Sequence, residues 1–268
     1  MSKINIKQKD IFTSKWGILL IVFLTIQHTL FAQVERNSVF MGGANIAAMG
    51  LSGLKTSAIG NEISIDGVGN LGGPKLLYSQ INGSPYLSDS FQVAAIYSRE
   101  NKFLGNYPVR FNLASQQFHF LNEKSQENVV PENLVGKIVL GNDQKGSSKQ
   151  IFTNIITGIS MNGIIIDKYV QILSDGNASL YKYVYKHVIS KENSLKAEPD
   201  YYFATSVNYF IRVNDKTTYV KKLNEANIKE LVPETNSRLT GRREYNFKNE
   251  SEVVDYINNW NLNTTIKN

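Results

Sequence analysis

Between residues 169 and 221, apolar and polar side chains alternate with the two-residue period of β-strands. The alternation is clearest in 179–190, where aromatic residues occupy one side of the predicted strand. Lys182 and Lys186 lie on the other side, which the pattern marks as the solvated face. The aromatic side comprises Tyr181, Tyr183, Tyr185 and His187.

The neighbouring segments complete a group of four antiparallel strands. Residues 201–214 alternate in the same way, and 169–173 and 217–221 provide shorter apolar runs on either side. Asn214 and Asp215 tolerate positive φ angles, so the last two strands are expected to form a tight hairpin.

A second group of short strands follows the Asn82-Gly83 turn and extends to residue 120, with turn residues about every ten positions. This spacing is typical of meandering sheets. We therefore predict a mainly β fold in which an antiparallel meander forms a sandwich or a small barrel.

The pattern becomes helical after residue 222. Asn224 can cap a helix over about 223–232, which Pro233 ends. Asn249 precedes Glu252 by three residues, as in a capping box, and begins a second predicted helix over about 250–260. Two short C-terminal helices are thus expected beside the sheet.

The tyrosines allow two interpretations. Aromatic residues suit a half-buried pleated surface, so the side chains can belong to the core. Alternatively, they form a platform on which a sugar or another flat ligand stacks. The solvated lysine side favours the core interpretation. The candidate ligand-facing residues are Tyr181, Tyr183, Tyr185 and Tyr209.

The first 32 residues resemble a secretory signal peptide in their layout. Four lysines precede an apolar stretch at 16–26, and cleavage is expected after Ala32, although Leu30 is large for the −3 position. An uncleaved anchor helix is the alternative. Residues 33–80 form a Gly-rich lead-in that we expect to be partly ordered, and 81–268 a single β-rich domain.

The amino-acid composition indicates the cellular compartment of the protein and excludes some kinds of chemistry. The chain has no cysteine, which excludes disulfides, thiol catalysis and a lipid anchor on cysteine, and which favours a bacterial envelope or exported protein. Removing residues 1–32 lowers the formal net charge from +6 to +3. That surplus predicts no nucleic-acid partner. No membrane span is expected once the leader is removed.

One stretch of the second strand group resembles a family. The pattern over about residues 82–121 is similar to that of uncharacterised exported β-rich proteins of Gram-negative bacteria. It is carried by Gly83-Ser84-Pro85-Tyr86-Leu87, Phe91 and Tyr107-Pro108-Val109-Arg110-Phe111-Asn112. The resemblance implies export and a mainly β fold, and it brings no catalytic residues.

No motif in the sequence has the neighbouring residues that a catalytic, cofactor or metal site requires. The G-x-G-x-x-G string at 67–72 lacks the helix that dinucleotide binding requires. His119 and His187 have no metal-ligand spacing. We therefore expect no cofactor and a non-enzymatic binding or structural role in the periplasm or outside the cell, with an envelope protein or a glycan as partner. The alternative is a periplasmic hydrolase acting on glycan or peptide through residues that only the fold brings together.

Overall fold

The computed structural model describes residues 59–64, 75–141, 149–156, 159–161, 164–195, 198–233 and 244–265. The predicted leader and the string at 67–72 lie outside the described residues, as does much of the Gly-rich lead-in. The strands are β1 (Glu62–Ser64), β2 (Lys75–Leu77), β3 (Ile81–Asn82), β4 (Gln92–Ser98), β5 (Phe103–Asn112), β6 (Gln117–Leu121), β7 (Glu127–Val129), β8 (Val135–Leu140), β9 (Gln150–Thr153), β10 (Ser160–Met161), β11 (Ile164–Ile165), β12 (Val170–Ser174), β13 (Ala178–Lys191), β14 (Asp200–Val213) and β15 (Lys216–Val220). The helices are α1 (Glu225–Leu231) and α2 (Glu250–Thr265), which confirms the mainly β prediction with two C-terminal helices.

Most strands belong to one sheet of eleven strands. Its order is β15-β14-β13-β12-β9-β8-β4-β5-β6-β7, and β3 pairs with β14 in parallel. β1 pairs with β2, and β10 with β11, in two small separate sheets. Within the described residues the order of the main sheet has two ends, so it fits the sandwich alternative and not the closed barrel.

The four predicted strands between 169 and 221 are β12 to β15, and they are neighbours in the sheet. β13 and β14 are 14 residues long and pair over their whole length. Asn214 and Asp215 have φ angles of 49° and 63°, and they connect β14 to β15 as the turn chemistry predicts.

A first apolar core lies on the inner face of β4, β5, β6, β8 and β9. Phe111 and Phe118 stack with their ring centroids 4.2 Å apart, and Tyr169 donates a hydrogen bond to the Val135 carbonyl at 3.2 Å. The phenylalanines at 118 and 120 are fully buried because alternate residues of β6 point into this core.

A second core forms where the helices cover one face of β13, β14 and β15. Leu180, Ile211 and Val220 on the strands pack with Ile228 of α1 and Val253 of α2. This is the face that carries Lys182, and the sequence indicated that it was solvated. The expectation was wrong for the part of this face near the β12–β13 turn. There the apolar side chains of α1 and α2 pack against the strands and bury them.

Polar side chains on one edge of α2 fix the helix to the β12–β13 turn. Asn261 accepts a hydrogen bond from the Ala178 N–H at 2.7 Å and donates one to the Ala178 carbonyl at 2.8 Å. Ser174 donates to Asn258 at 2.7 Å. Asparagines three residues apart on a helix share a face, so the docking geometry is specific.

A third core covers the opposite face of the same strands. Tyr181 and Phe210 lie directly opposite each other on β13 and β14. They pack with the side chains of Ile156, Ile159, Met161 and Ile166. Both faces of the long hairpin are therefore buried near its β15 end.

The half of the β13–β14 hairpin that lies far from β15 contacts the residues that follow β5 and also pairs with β3. The Lys186 N–H donates to the Leu113 carbonyl at 3.0 Å, and the Gln116 side chain donates to the Val184 carbonyl at 3.0 Å. β3 joins β14 at Tyr201 and Tyr202. The contacts with Leu113 and Gln116 hold β13 beside the end of β5, and β3 lies beside β14.

Candidate ligand-binding face of the long hairpin

The four candidate tyrosines do not share one environment. Tyr181 and Tyr183 are 2% and 8% exposed, whereas Tyr185 is half-buried. Tyr209 lies on the other face, opposite Lys182, and its hydroxyl donates to Glu250 of α2 at 2.8 Å. A single row of four is therefore excluded, because the register places Tyr209 one residue out of phase with Tyr181.

Tyr181, Tyr183 and Tyr185 lie on one face of β13, at the point where the strand leaves the third core. Tyr183 and Tyr185 stack with centroids 5.3 Å apart and planes at 27°. The His187 ring follows, 5.9 Å from the Tyr185 ring. We call Tyr183, Tyr185 and His187 the ring ladder. Its first ring is buried, and its second and third are half-exposed.

Small and polar side chains of β14 face the outer part of the ring ladder. Ser206 pairs with Tyr185, and Ala204 with His187, in the hairpin register. The Ser206 hydroxyl oxygen lies 3.5 Å from the His187 Nδ1, a long contact for a hydrogen bond. At the inner end, Asn208 is buried and accepts a 2.8 Å hydrogen bond from the Tyr219 hydroxyl.

Burial controls the ionisation of this aromatic surface. Desolvation raises the pKa of Tyr183 to about 12, and the neighbouring Tyr185 adds to that increase. Desolvation also raises the pKa of Tyr209, which the hydrogen bond to Glu250 raises further. The hydroxyls of Tyr183 and Tyr209 are therefore protonated near neutral pH and can donate hydrogen bonds.

The two lysines of β13 have defined partners. The Lys182 Nζ lies 2.8 Å from a Glu250 carboxylate oxygen. The Lys186 Nζ donates to the carbonyls of Ser84 and Tyr86 at 2.6 and 2.8 Å, and desolvation lowers the pKa of Lys186. Both lysines attach other segments to the hairpin, so neither is simply a solubilising surface charge.

A second polar cluster lies on the outer face of β5, β6 and β7. Arg110 binds the Glu127 carboxylate through two hydrogen bonds of 2.8 and 2.7 Å, the strong bidentate geometry. The Arg110 guanidinium also lies 3.8 Å from the centroid of the Tyr86 ring. His119, fully buried, places its Nδ1 2.7 Å from the same carboxylate.

The environment of His119 favours the neutral imidazole. Burial lowers the pKa of His119, and the hydrogen bond to Glu127 opposes that shift. The carboxylate selects the tautomer with the proton on Nδ1. Within the described residues, the buried Nε2 has no hydrogen-bond partner. Because its three side chains come from paired strands, the cluster is best explained as a brace across β5, β6 and β7.

Sequence reasoning treated His119 and His187 as ordinary strand positions and missed both arrangements. Arg110 and His119 meet because β5 and β6 pair at those two residues, and Glu127 arrives on the next strand. The signal along the chain is one cation and one histidine in two successive predicted strands, and the strand that carries Glu127 was not predicted. That signal does not fix the register.

The described residues contain no group of three metal-ligating side chains close enough to hold a metal ion. Across the same part of the chain, no helix combines the length and the apolar character needed to span a bilayer. Comparison with family models, curated proteins and solved structures finds no match.

Proposed function

We propose that this chain is an exported bacterial envelope protein that acts by binding a partner and not by catalysis. The observation that carries the proposal is the ring ladder. Tyr185 and His187 are half-exposed on a rigid two-stranded scaffold, beside the small side chains of Ser206 and Ala204. Partly exposed rings held in place on a sheet provide contact area with little loss of side-chain entropy on binding.

Export is supported by the sequence. The lysines before the apolar stretch at 16–26 and the expected cleavage after Ala32 are typical of a secretory leader. The absence of cysteine and the resemblance over residues 82–121 favour the envelope of a Gram-negative bacterium as the destination.

Fractionation of a Gram-negative host that expresses the full chain tests the location. We expect a form shortened by residues 1–32 in the periplasm, the envelope or the medium, identified by its intact mass. Recovery of the uncleaved chain in the soluble cytoplasm would contradict export.

Co-sedimentation tests the binding role. We expect the purified exported protein to sediment with isolated peptidoglycan sacculi or with outer-membrane vesicles. Replacing both partly buried rings, Tyr185→Ala with His187→Ala, is expected to abolish sedimentation without changing the circular dichroism spectrum. Thr205→Ala is the matched control, since Thr205 is exposed on the same hairpin but on its opposite face. Equal sedimentation of the two variants would contradict the ring ladder as the binding face.

A periplasmic hydrolase acting on glycan or peptide is the second candidate, because Ser206 lies 3.5 Å from the His187 Nδ1. A serine nucleophile needs such a base within hydrogen-bond reach. A fluorophosphonate probe that labels the wild type but not Ser206→Ala would support this alternative. Absence of labelling in the wild type counts against it.

A further inference from the structure

The pairing along the outer edge of β14 is interrupted. β15 pairs with β14 from Tyr209 to Val213, and β3 pairs with it at Tyr201 and Tyr202. Between these two segments, the described strands leave 203–208 without a partner on the side away from β13. We call residues 203–208 the open edge. Backbone groups on such an edge can hydrogen-bond to another extended chain.

The backbone groups of every second residue of β14 point toward this outer edge. The turn between β14 and β15 has two residues with positive φ, so the pair that flanks it, Val213 and Lys216, exchanges hydrogen bonds. The Asn82 side chain donates from the same side to the Tyr201 carbonyl at 3.0 Å. Both observations show that the odd-numbered residues of β14 direct their N–H and C=O groups outward.

Three residues of the open edge, Phe203, Thr205 and Val207, therefore present outward backbone groups that no described strand meets. Thr205 and Val207 are exposed, and Val207 is 37% exposed although its side chain is apolar. Val184 lies directly opposite Val207 on β13 and contributes apolar surface to the same face. A strand added at this position would cover Val207 and hydrogen-bond to the backbone at once.

The flanking strands limit the length of a segment that can pair with the open edge. Six residues of a strand span about 20 Å, and β3 and β15 occupy the neighbouring strand position at the two ends. In a second copy, β14 is 14 residues long and would collide with both. A short extended segment therefore fits, whereas two copies joined through their β14 edges do not.

Positive charge lies at one end of the open edge. Lys221 and Lys222 are exposed and directly follow Val220, which pairs with Tyr209. No ion pair within the described residues involves either lysine. An acidic side chain at this end of an added strand would be attracted to them, and a basic one would be repelled.

We propose that the open edge binds an extended segment of a partner polypeptide, about six residues long and acidic at the end next to Lys221, which adds to the sheet as a strand. This inference rests on the proposed binding function and specifies the partner as a polypeptide. Alternate side chains of the added strand would lie beside Ser206 and Ala204, on the face that carries Tyr185 and His187.

Co-sedimentation of the purified exported protein with outer-membrane vesicles tests the strand pairing. Val207→Pro removes an outward N–H and is expected to lower retention about tenfold or more. Proline is tolerated where the N–H of an edge strand faces solvent, so the circular dichroism spectrum should not change. Val207→Thr keeps the N–H and the branched side chain, and this matched control should be retained as the wild type is. Unchanged retention of Val207→Pro would overturn the proposal.

Protease treatment identifies the class of partner. Vesicles digested with proteinase K before mixing should no longer retain the wild-type protein. Retention by digested vesicles, or by sacculi freed of protein, would indicate a lipid or glycan partner, so the polypeptide inference would be wrong and the binding role would stand.

Two further measurements do not depend on the folding of the proline variant. Lys221→Glu with Lys222→Glu leaves β14 unchanged and should lower retention about tenfold. Amide hydrogen exchange in 203–208 should slow when the wild-type protein is bound to vesicles. If retention requires Tyr185 and His187 but this exchange is unchanged, the inference is wrong and the binding role stands. If untreated envelope material retains no protein, both are wrong.

Discussion

Tyr183 and Tyr185 lie two residues apart on one face of β13, and they differ in how much of each ring is buried. We expect Tyr183→Ala to lower the free energy of unfolding by about 3–5 kcal/mol, as other buried aromatic truncations do. Tyr185→Ala should lower it by less than half as much, because its ring is half-exposed. Urea unfolding of both variants checks this. Equal losses would show that Tyr185 is a core residue and not a ligand-facing one.

His119 makes the free energy of unfolding depend on pH. Its pKa in the folded protein is lowered from 6.5, so the unfolded chain binds more protons between the two pKa values. This contribution to stability is fully present above pH 6.5 and is lost as the pH falls through the folded pKa. Burial lowers the folded pKa of His119, Glu127 opposes that shift, and the charge of Arg110 adds to it.

Replacing the imidazole tests that dependence. Urea unfolding between about pH 5 and pH 8 should show that the stability of His119→Gln declines less steeply on acidification than that of the wild type. Parallel curves for the two proteins would exclude His119 as the titrating group.

At the residue scale, periodicity predicted the alternation on β13 and the turn at Asn214-Asp215, and both are confirmed. The environment of each side chain could not be predicted from periodicity, because it depends on what covers each face. Tyr209 was grouped with Tyr181 although the register places them on opposite faces. Cross-strand register is a property of two distant segments, and a one-residue error inverts every side chain.

At the scale of elements, the attachment of α2 depends on a glycine in the β12–β13 turn. Gly176 has a φ of +152°, and a Cβ at this position would lie 2.6 Å from the Asn261 Nδ2. Gly176→Ala should therefore displace the asparagine that hydrogen-bonds both backbone groups of Ala178. We expect a loss of about 1–3 kcal/mol in the free energy of unfolding, measured by urea titration.

Gly83→Ala is the matched control for this steric effect. Its φ of +93° imposes backbone strain, but no atom lies within 4 Å of an added Cβ. Tryptophan fluorescence of Trp260 on α2 should change in Gly176→Ala and stay constant in Gly83→Ala. A fluorescence change in both variants would mean that the backbone strain, and not the contact with Asn261, disturbs the helix.

The helices themselves were predictable, because Asn224 caps α1 by accepting from the Asn227 N–H, as its position indicates. Their docking surface was not. The two lysines on this face of β13 indicated a solvated surface, yet Leu180 beside Lys182 lies in the second core. Lys182 can lie beside this core because its ammonium forms an ion pair with Glu250 at the start of α2.

At the scale of the whole sheet, Lys186 joins the hairpin to the segment before β4. Lys186→Met keeps the aliphatic stem and removes both Nζ hydrogen bonds, so we expect it to lower the free energy of unfolding by about 1.5–3 kcal/mol. Lys182→Met removes a half-exposed ion pair and should lower it by about 0–1 kcal/mol. Urea titration of the two variants measures the difference. Equal small effects would restore the view that both lysines are ordinary surface charges.

For the export proposed above, the pairing of β3 with β14 would have a consequence for the order in which paired segments reach the far side of the membrane. The Asn82 side chain donates to the Tyr201 carbonyl, 119 residues later in the chain. A chain that crosses a membrane from its N-terminus delivers Ile81 and Asn82 long before their partners at Tyr201 and Tyr202. Contacts so distant in sequence form late. On the proposed export route, the early segment would remain unpaired until its partner strand follows, and a chaperone that shields strand edges would have its longest opportunity there.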